Sequence, residues 1–375
     1  MKTSTSKIVV IKIGSSTLVN SEGVLDIPYL ENLAEQVFHA REKGWKPVIV
    51  SSGAIACGMG PLGFSERPSD MPTLQAAASV GQNILASAYA DAFSRYDILT
   101  SMVLITRHTT AHRDSYLHAR DTLNRLLELN VVPIINENDT VSVEQIRFGD
   151  NDTLAALVSC LIKADLCVLF SDIQGLYTAN PNEDASAELI PEVHAVTPEI
   201  MALAGGVGSK VGSGGMITKI RAARVLLVAG IQMIICHGRE EDILVKVLCG
   251  SAQCTRFIPS SIIHDITPKK LWIALGDNTK GTLVVDSGAK NALITRGSSL
   301  LAVGVKSSSG KYDPEDIVDI VDEEGHLFAR GKAGASSSEI SLACGRSQQE
   351  IKANELFRDL SSRPVVHRDE LVVFE

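Results

Sequence analysis

Up to about residue 258 the chain alternates short, β-branched apolar runs with amphipathic stretches of helical length. That alternation reads as an α/β fold, a mainly parallel open sheet sandwiched by helices. The expected strands are 7–13, 46–51, 98–105, 131–135, 166–171 and 231–235, and the expected helices 28–43, 72–95, 114–129, 151–163 and 216–229. Asp114 stands as the cap of the third helix, and Leu117, Leu123, Leu126 and Leu127 repeat on its inner face. From 259 the character changes. Pro259-Ser260-Ser261 and Thr267-Pro268 read as a linker over 259–270. Beyond it, 283–286, 299–301 and 317–321 read as short strands parted by glycine turns, so a small β-rich domain is expected at 271–352. A tail over 353–375 follows, with Pro364-Val365-Val366-His367 as a candidate last strand. A length of 375 residues suits two such cores, the first over 1–258.

In a doubly wound sheet, ligands bind just past the carboxyl ends of the strands, and the polar clusters of this chain fall there. The first run, Lys7 to Ser16, carries Lys12 near its end and breaks into Gly14-Ser15-Ser16. An ammonium on a buried strand calls for an anion, and glycine with small hydroxyl residues supplies close backbone donors. An edge strand that turns Lys12 to water is the alternative, and the later segments favour the anion. Ser51-Ser52-Gly53-Ala54 opens a helix after the second strand, as an anion-binding turn or a plain cap. Asn136-Glu137-Asn138-Asp139 and Gly149-Asp150-Asn151-Asp152 are polar clusters that need a cationic partner, such as a substrate amino group or Lys12. Ser171-Asp172 ends the fifth strand, and Ser213-Gly214-Gly215 runs into a helix whose first turns hold Lys219. A cation there opposes the helix dipole, which favours an anion site over a flexible connector.

Several classes of protein are disfavoured. Gly58-Met59-Gly60-Pro61-Leu62-Gly63 matches a dinucleotide fingerprint, but it does not follow its strand directly and Pro61 interrupts it. A P-loop spacing is absent from the sequence. Seven cysteines without a C-x-x-C pair suit reduced thiols, and His108 and His112 lack the glutamate of a zinc-protease helix. No metal-ligand spacing is expected. Lys7 and Lys12 bracket the first apolar run too closely for a signal peptide, and Leu154 to Ile162 is too short to span a bilayer. A soluble cytoplasmic protein without a membrane partner is expected. The formal net charge of −9 disfavours a nucleic-acid-coating surface.

As an ordered set, VVIKIGSSTL, VSSGAIACG, INENDTVS, FGDNDTLAAL, SDIQGLYTANP and GSGGMITKI resemble the amino acid kinase family, most closely its branch that phosphorylates free glutamate. ITRGSSLLAVGVKS looks like part of a PUA domain. Acetylglutamate and aspartate kinases are the alternatives within the family; the SSGAIA and INEND segments and the appended domain favour glutamate. An RNA-binding role for the PUA-like part is disfavoured by its nine Lys or Arg against eleven Asp or Glu.

By position, the resemblance implies that Lys12 and Lys219 grip the β/γ phosphates of ATP, with Asp152 orienting both as the third catalytic residue. It assigns Ser52, Asp139 and Asn151 to glutamate, and Ser171, Asp172, Ser213, Gly214, Gly215, Met216, Ile217, Thr218 and Lys219 to the nucleotide. Ser171 departs from the threonine of the family at its position and keeps the hydroxyl. Mg2+ would come with ATP, and the product would be γ-glutamyl phosphate on the way to proline. Proline feedback, a glutamate-5-semialdehyde dehydrogenase partner and a homo-oligomer are further implications. The attacking carboxylate is ionised at neutral pH, so two lysines, Mg2+ and N–H donors can supply most of the catalysis.

Overall fold

The computed structural model describes residues 7–20, 24–106, 113–141, 151–204, 215–260, 270, 273–274, 279–355 and 358–374. The chain forms two compact units, Met1–His264 and Asp265–Glu375. In the first, the elements are β1 (Lys7–Ile13), α1 (Ser15–Leu18), α2 (Ile27–Glu42), β2 (Trp45–Val50), α3 (Ala54–Met59), α4 (Met71–Ser94), β3 (Thr100–Ile105), α5 (Arg113–Glu128), β4 (Val132–Glu137) and α6 (Asn151–Leu161). They continue with β5 (Leu166–Ser171), β6 (Glu192–Val193), α7 (Pro198–Ala204), α8 (Met216–Val228), β7 (Gln232–His237), α9 (Ile243–Cys249) and β8 (Cys254–Phe257).

The eight strands lie in the order β3-β4-β2-β1-β5-β7-β8-β6. Pairing is parallel from β3 to β7, and β8 runs antiparallel to β7. With β2 on one side of it and β5 on the other, β1 is central, which removes the edge-strand alternative for Lys12. Its residues Val9 to Ile13 are buried on both faces, so the strand reads as a continuous β-branched run rather than an alternating one. Chain continuity leads from β1 to β2 on one side and from β4 to β5 on the other, so the sheet has its switch point at β1. The short strands β6 and β8 and the helices α1, α7 and α9 add to what the sequence indicated, and α3 is the helix expected to open after the second strand. Among the described residues no helix is long and apolar enough to cross a membrane.

Helices α3 and α4 touch through glycine. A Cβ on Gly58 would be driven into the carbonyl of Ala77, and one on Gly81 into the carbonyl of Ala54. Glycine inside a helix costs about 1 kcal/mol relative to alanine, and here this close approach offsets that cost. Gly58 in the false dinucleotide match is therefore a helix-packing residue.

The second unit contains β9 (Gly281–Val285), α10 (Ser287–Arg296), β10 (Val305–Gly310), β11 (Ile317–Val321), β12 (Leu327–Lys332), α11 (Ser337–Ala343), α12 (Gln348–Ala353) and β13 (Leu371–Val373). Its sheet order is β10-β9-β11-β12-β13, around a core that includes Leu283, Val318, Phe328, Val365 and Val366. Three expectations need correction. Ser299 to Leu301 is not a strand: Leu300 makes an isolated bridge to Val366, and the strand follows at β10, whose Ser307-Ser308-Ser309 hides it from an apolar pattern. Pro364 to His367 likewise bridges rather than forming a strand, and β13 supplies the last one. The residues after 353 are no detached tail, since Val365, Val366 and Leu371 are core. Most of the expected linker, from 261 on, lies outside the described residues.

Gly81→Val should destabilise the first unit by about 3 kcal/mol or more, because both backbones must move. Urea denaturation of variant and parent checks this; an unchanged midpoint would show that α3 and α4 can part freely.

Candidate active site

Register brings the carboxyl ends of the central strands level. Lys12 pairs with Val50 of β2 and Leu169 of β5, and Val50 with Ile135 of β4. The turns after β1, β2, β4 and β5 therefore open on one edge of the sheet, where α6 and α8 also begin.

At the centre stands Asp152, in the first turn of α6 and fully buried. Lys12 Nζ lies 2.8 Å from its Oδ1 and Lys219 Nζ 3.1 Å from its Oδ2. The Thr218 hydroxyl is 2.7 Å from the same Oδ2 and 2.7 Å from the Gly215 carbonyl, so its one proton has two acceptors. Burial by itself would push the Asp152 carboxyl up. The Lys12 and Lys219 ammonium groups outweigh that, helped by hydrogen bonds from Lys12 and Thr218, and hold it at about 2. Both lysines are nearly buried as well. Two ammonium groups converge on one carboxylate, an arrangement that suits an incoming anion.

Glycines stand beside the cluster. A Cβ on Gly14 would make an ordinary contact with Lys12 Nζ at 3.6 Å. Gly215 begins α8 with no side chain to cap the first-turn N–H groups, and a Cβ there would meet nothing within 4 Å. Uncapped N–H groups at a helix start are donors for an anion. At the end of β5 the Ser171 hydroxyl donates to Asp172 Oδ1 at 3.0 Å.

Beside this cationic cluster lies a pocket edge built from amides and hydroxyls. Asn151 Nδ2 donates to the Ser51 carbonyl at 2.7 Å, the Ser52 Oγ at 2.8 Å and the Asn136 Oδ1 at 3.2 Å. Gly53 takes φ +89°, which lets the chain turn directly from β2 into α3. Asp139, just past β4, is half-buried; desolvation raises its carboxyl to about 6, against the pull of the Arg67 guanidinium. A carboxylate held up by burial gains most from a cation placed beside it.

The structure thus brings Lys12, Lys219, Asp152 and Thr218 into one hydrogen-bonded cluster, and Ser52 and Asn151 into another. Asp139, Ser171, Asp172, Gly215, Met216 and Ile217 lie on the strand ends and helix start around them. Ser213, Gly214, Gly149, Asp150, His108 and His112 lie outside the described residues. Thr218, expected only at the nucleotide, also steadies Asp152. Two residues tied to these clusters, Gln82 and Tyr89, were not singled out from the sequence, and Asn136 only as part of its polar cluster. Gln82 could have been found as a polar residue within the buried stripe Leu74, Ala78, Leu85, Tyr89 of α4.

The amino acid kinase family model matches residues 7–237 and the PUA domain model residues 281–354. A glutamate 5-kinase of Caldanaerobacter subterraneus subsp. tengcongensis is 39% identical over 98% of both chains. One of Citrifermentans bemidjiense is 43% identical over 98% of this chain and 97% of its own. One of Moorella thermoacetica is 44% identical over 97% of this chain and 95% of its own. Among solved structures, carbamate kinase from Giardia lamblia bound to AMP-PNP superposes with a TM-score of 0.51 at 18% identity, covering 68% of this chain and 99% of that one. That likeness concerns the fold.

Asp152→Asn leaves two buried ammonium groups facing one another, at a cost of about 3–5 kcal/mol. Urea denaturation should show that loss, with part of it recovered by inorganic tripolyphosphate. If the polyanion recovers nothing, the lysines do not face an anion-accessible space.

Proposed function

The chain belongs to the amino acid kinase family, and we propose that it transfers the terminal phosphoryl group of ATP to the γ-carboxylate of L-glutamate. The products are ADP and γ-glutamyl phosphate, the first step of proline biosynthesis. The observation that carries this reading is the Lys12–Asp152–Lys219 cluster at the sheet's switch point, in a chain matched over nearly its full length by glutamate 5-kinases.

In this reading the ionised γ-carboxylate attacks the terminal phosphorus directly, and no proton has to be removed from it at neutral pH. Lys12 and Lys219 meet the phosphoryl oxygens, where charge is spread in the transition state. Asp152 keeps the two ammonium groups apart and aimed. Ser171, Asp172 and the segment Ser213 to Lys219 take the nucleotide, while Ser52, Asp139 and Asn151 take glutamate, the carboxylate of Asp139 meeting its ammonium group. Phosphoryl transfer from ATP uses a divalent metal, here Mg2+, which offsets phosphate charge when bound. The donor set fits a metal that arrives with the nucleotide, since both Asp152 oxygens are engaged by ammonium groups. The acyl phosphate product is labile, which suits a glutamate-5-semialdehyde dehydrogenase that reduces it. Proline as a feedback ligand and a homo-oligomeric state complete the reading.

A substrate panel with Mg·ATP tests it. ADP release and acyl hydroxamate should form with L-glutamate and be minor with N-acetylglutamate, aspartate and UMP; turnover of any of these three without glutamate would overturn the assignment.

The raised Asp139 carboxyl gives a pH dependence with a definite sign. Below about pH 6 the free enzyme carries Asp139 protonated, so kcat/KM for glutamate should fall as the pH drops through that value. Asp139→Asn should lower kcat/KM for glutamate at pH 7.5 and flatten this limb, with the KM for ATP little changed. A limb that persists unchanged in the variant would belong to another group.

A further inference from the structure

Helix α4 carries a buried glutamine whose amide reaches the amino-acid side of the site. Gln82 Nε2 donates to the Glu137 main-chain carbonyl at 3.1 Å, and its Oε1 accepts from Asn136 Nδ2 at 3.3 Å. Asn136 is almost fully buried, and its Oδ1 accepts from Asn151 Nδ2 at 3.2 Å and from the Glu137 N–H at 2.9 Å. An asparagine amide has nearly the same shape with oxygen and nitrogen exchanged, so its orientation is set by its partners. Exchanging them in Asn136 would turn a donor toward Gln82 Oε1 into an acceptor and set an NH2 group against the Asn151 NH2. Gln82 therefore opposes the flip from one side and Asn151 from the other. A buried amide on an apolar helix face loses its water, and two well-placed partners offset that cost.

From this chain of contacts we propose that Gln82 is a positioning residue for the amino-acid substrate. It fixes the Asn136 amide, and through it the Asn151 amide that also meets Ser52. This rests on the reading of Asn151 and Ser52 as glutamate-binding groups. Gln82 stands on the far side of Asn136 from Asn151 in the bond sequence, so it acts through its neighbour rather than by touching glutamate. Among the described residues its side-chain amide bonds to Asn136 and Glu137, both at the end of β4, so its loss should spare the nucleotide side.

Full-length Gln82→Met, similar in length but unable to hydrogen-bond in this way, tests the idea by steady-state kinetics with each substrate varied. The KM for glutamate should rise roughly tenfold, the scale of a lost buried hydrogen bond, with kcat and the KM for ATP within about twofold of the parent. Gln82→Glu should recover most of the loss, because burial favours its protonated form, which keeps an acceptor and a donor. In an Asn136→Ala background Gln82→Met should add little more, since its effect runs through Asn136. Equal losses for both substrates, additive effects in the double variant, or no rise in the KM for glutamate would each overturn the proposal. If Gln82→Met does not fold, Gln82→Leu, alone and in the Asn136→Ala background, decides by the same criteria. A parent enzyme that does not use glutamate would overturn the functional reading itself, and is told apart because it fails before any variant is compared.

Discussion

The arrangement of the first unit depends on one buried carboxylate held between two ammonium groups. Lys12 comes from β1 and Lys219 from α8, 207 residues apart in sequence, and Asp152 from α6 joins them. Taking three charges out of water is costly, and a buried ion cluster is weak evidence for stability. In the proposed reaction its value lies elsewhere: with Asp152 in place both ammonium groups are held pointed, so they need not reorganise when phosphoryl charge develops. In that reading the two ammonium groups serve the transition state more than the ground state, which is what accelerates a chemical step. The same pairing sets the acid limit of the cluster. Asp152 is ionised in the folded chain down to about pH 2, whereas an ordinary Asp takes a proton near ~3.9. Its contribution to stability is therefore present above the ordinary value and is lost as pH falls through about 2.

The Ser52–Asn151 side, proposed to take the amino acid, is built differently, by one face of a long helix. Tyr89 and Gln82 are seven residues apart on α4, two turns of helix and about 10.5 Å along its axis. The Tyr89 hydroxyl lies 3.1 Å from Ser51 Oγ at the end of β2, and Gln82 ties the end of β4. Next to Gln82, Gly81 lets α3 approach until main chain meets main chain, and α3 starts from the Ser51-Ser52-Gly53 turn. One helix thus fixes the two strand ends and the helix start that frame the pocket. A rigid frame matters because a misplacement of about 1 Å can cost a hundredfold in rate.

Much of the fold was legible in the sequence because its strongest signals are local. Lys12 stood out as a charge on a run that burial on both faces leaves almost wholly apolar. Ser52 and Asn151 stood out because small polar residues interrupt apolar periodicity at strand ends and helix starts. Their mutual contact, across 99 residues, carries no local signature. Asn136 was visible only as one of four polar residues at the end of β4 and just past it, since register decides which of them points inward. In the second unit the pattern misled where side chains face outward. Lys306 to Gly310 form an edge strand with little apolar content, whereas Leu300-Leu301 look like a strand yet make a single bridge.

The second unit also shows how pairing changes what composition suggests. Lys290 lies 3.0 Å from Asp322, Arg330 2.7 Å from Asp319 and Lys306 2.8 Å from Glu323, while Lys332 pairs with Glu315. Each acid neutralises a cation that a phosphate backbone would otherwise attract. Asp322 stands near Glu324 and His326 in an arrangement that resembles a metal site, and its Oδ2 already accepts from the ammonium of Lys290 at 3.0 Å. In the first unit, by contrast, two ammonium groups converge on one carboxylate. Charge counts over whole domains hide this difference, because what a phosphate meets is set by how the charges are arranged locally.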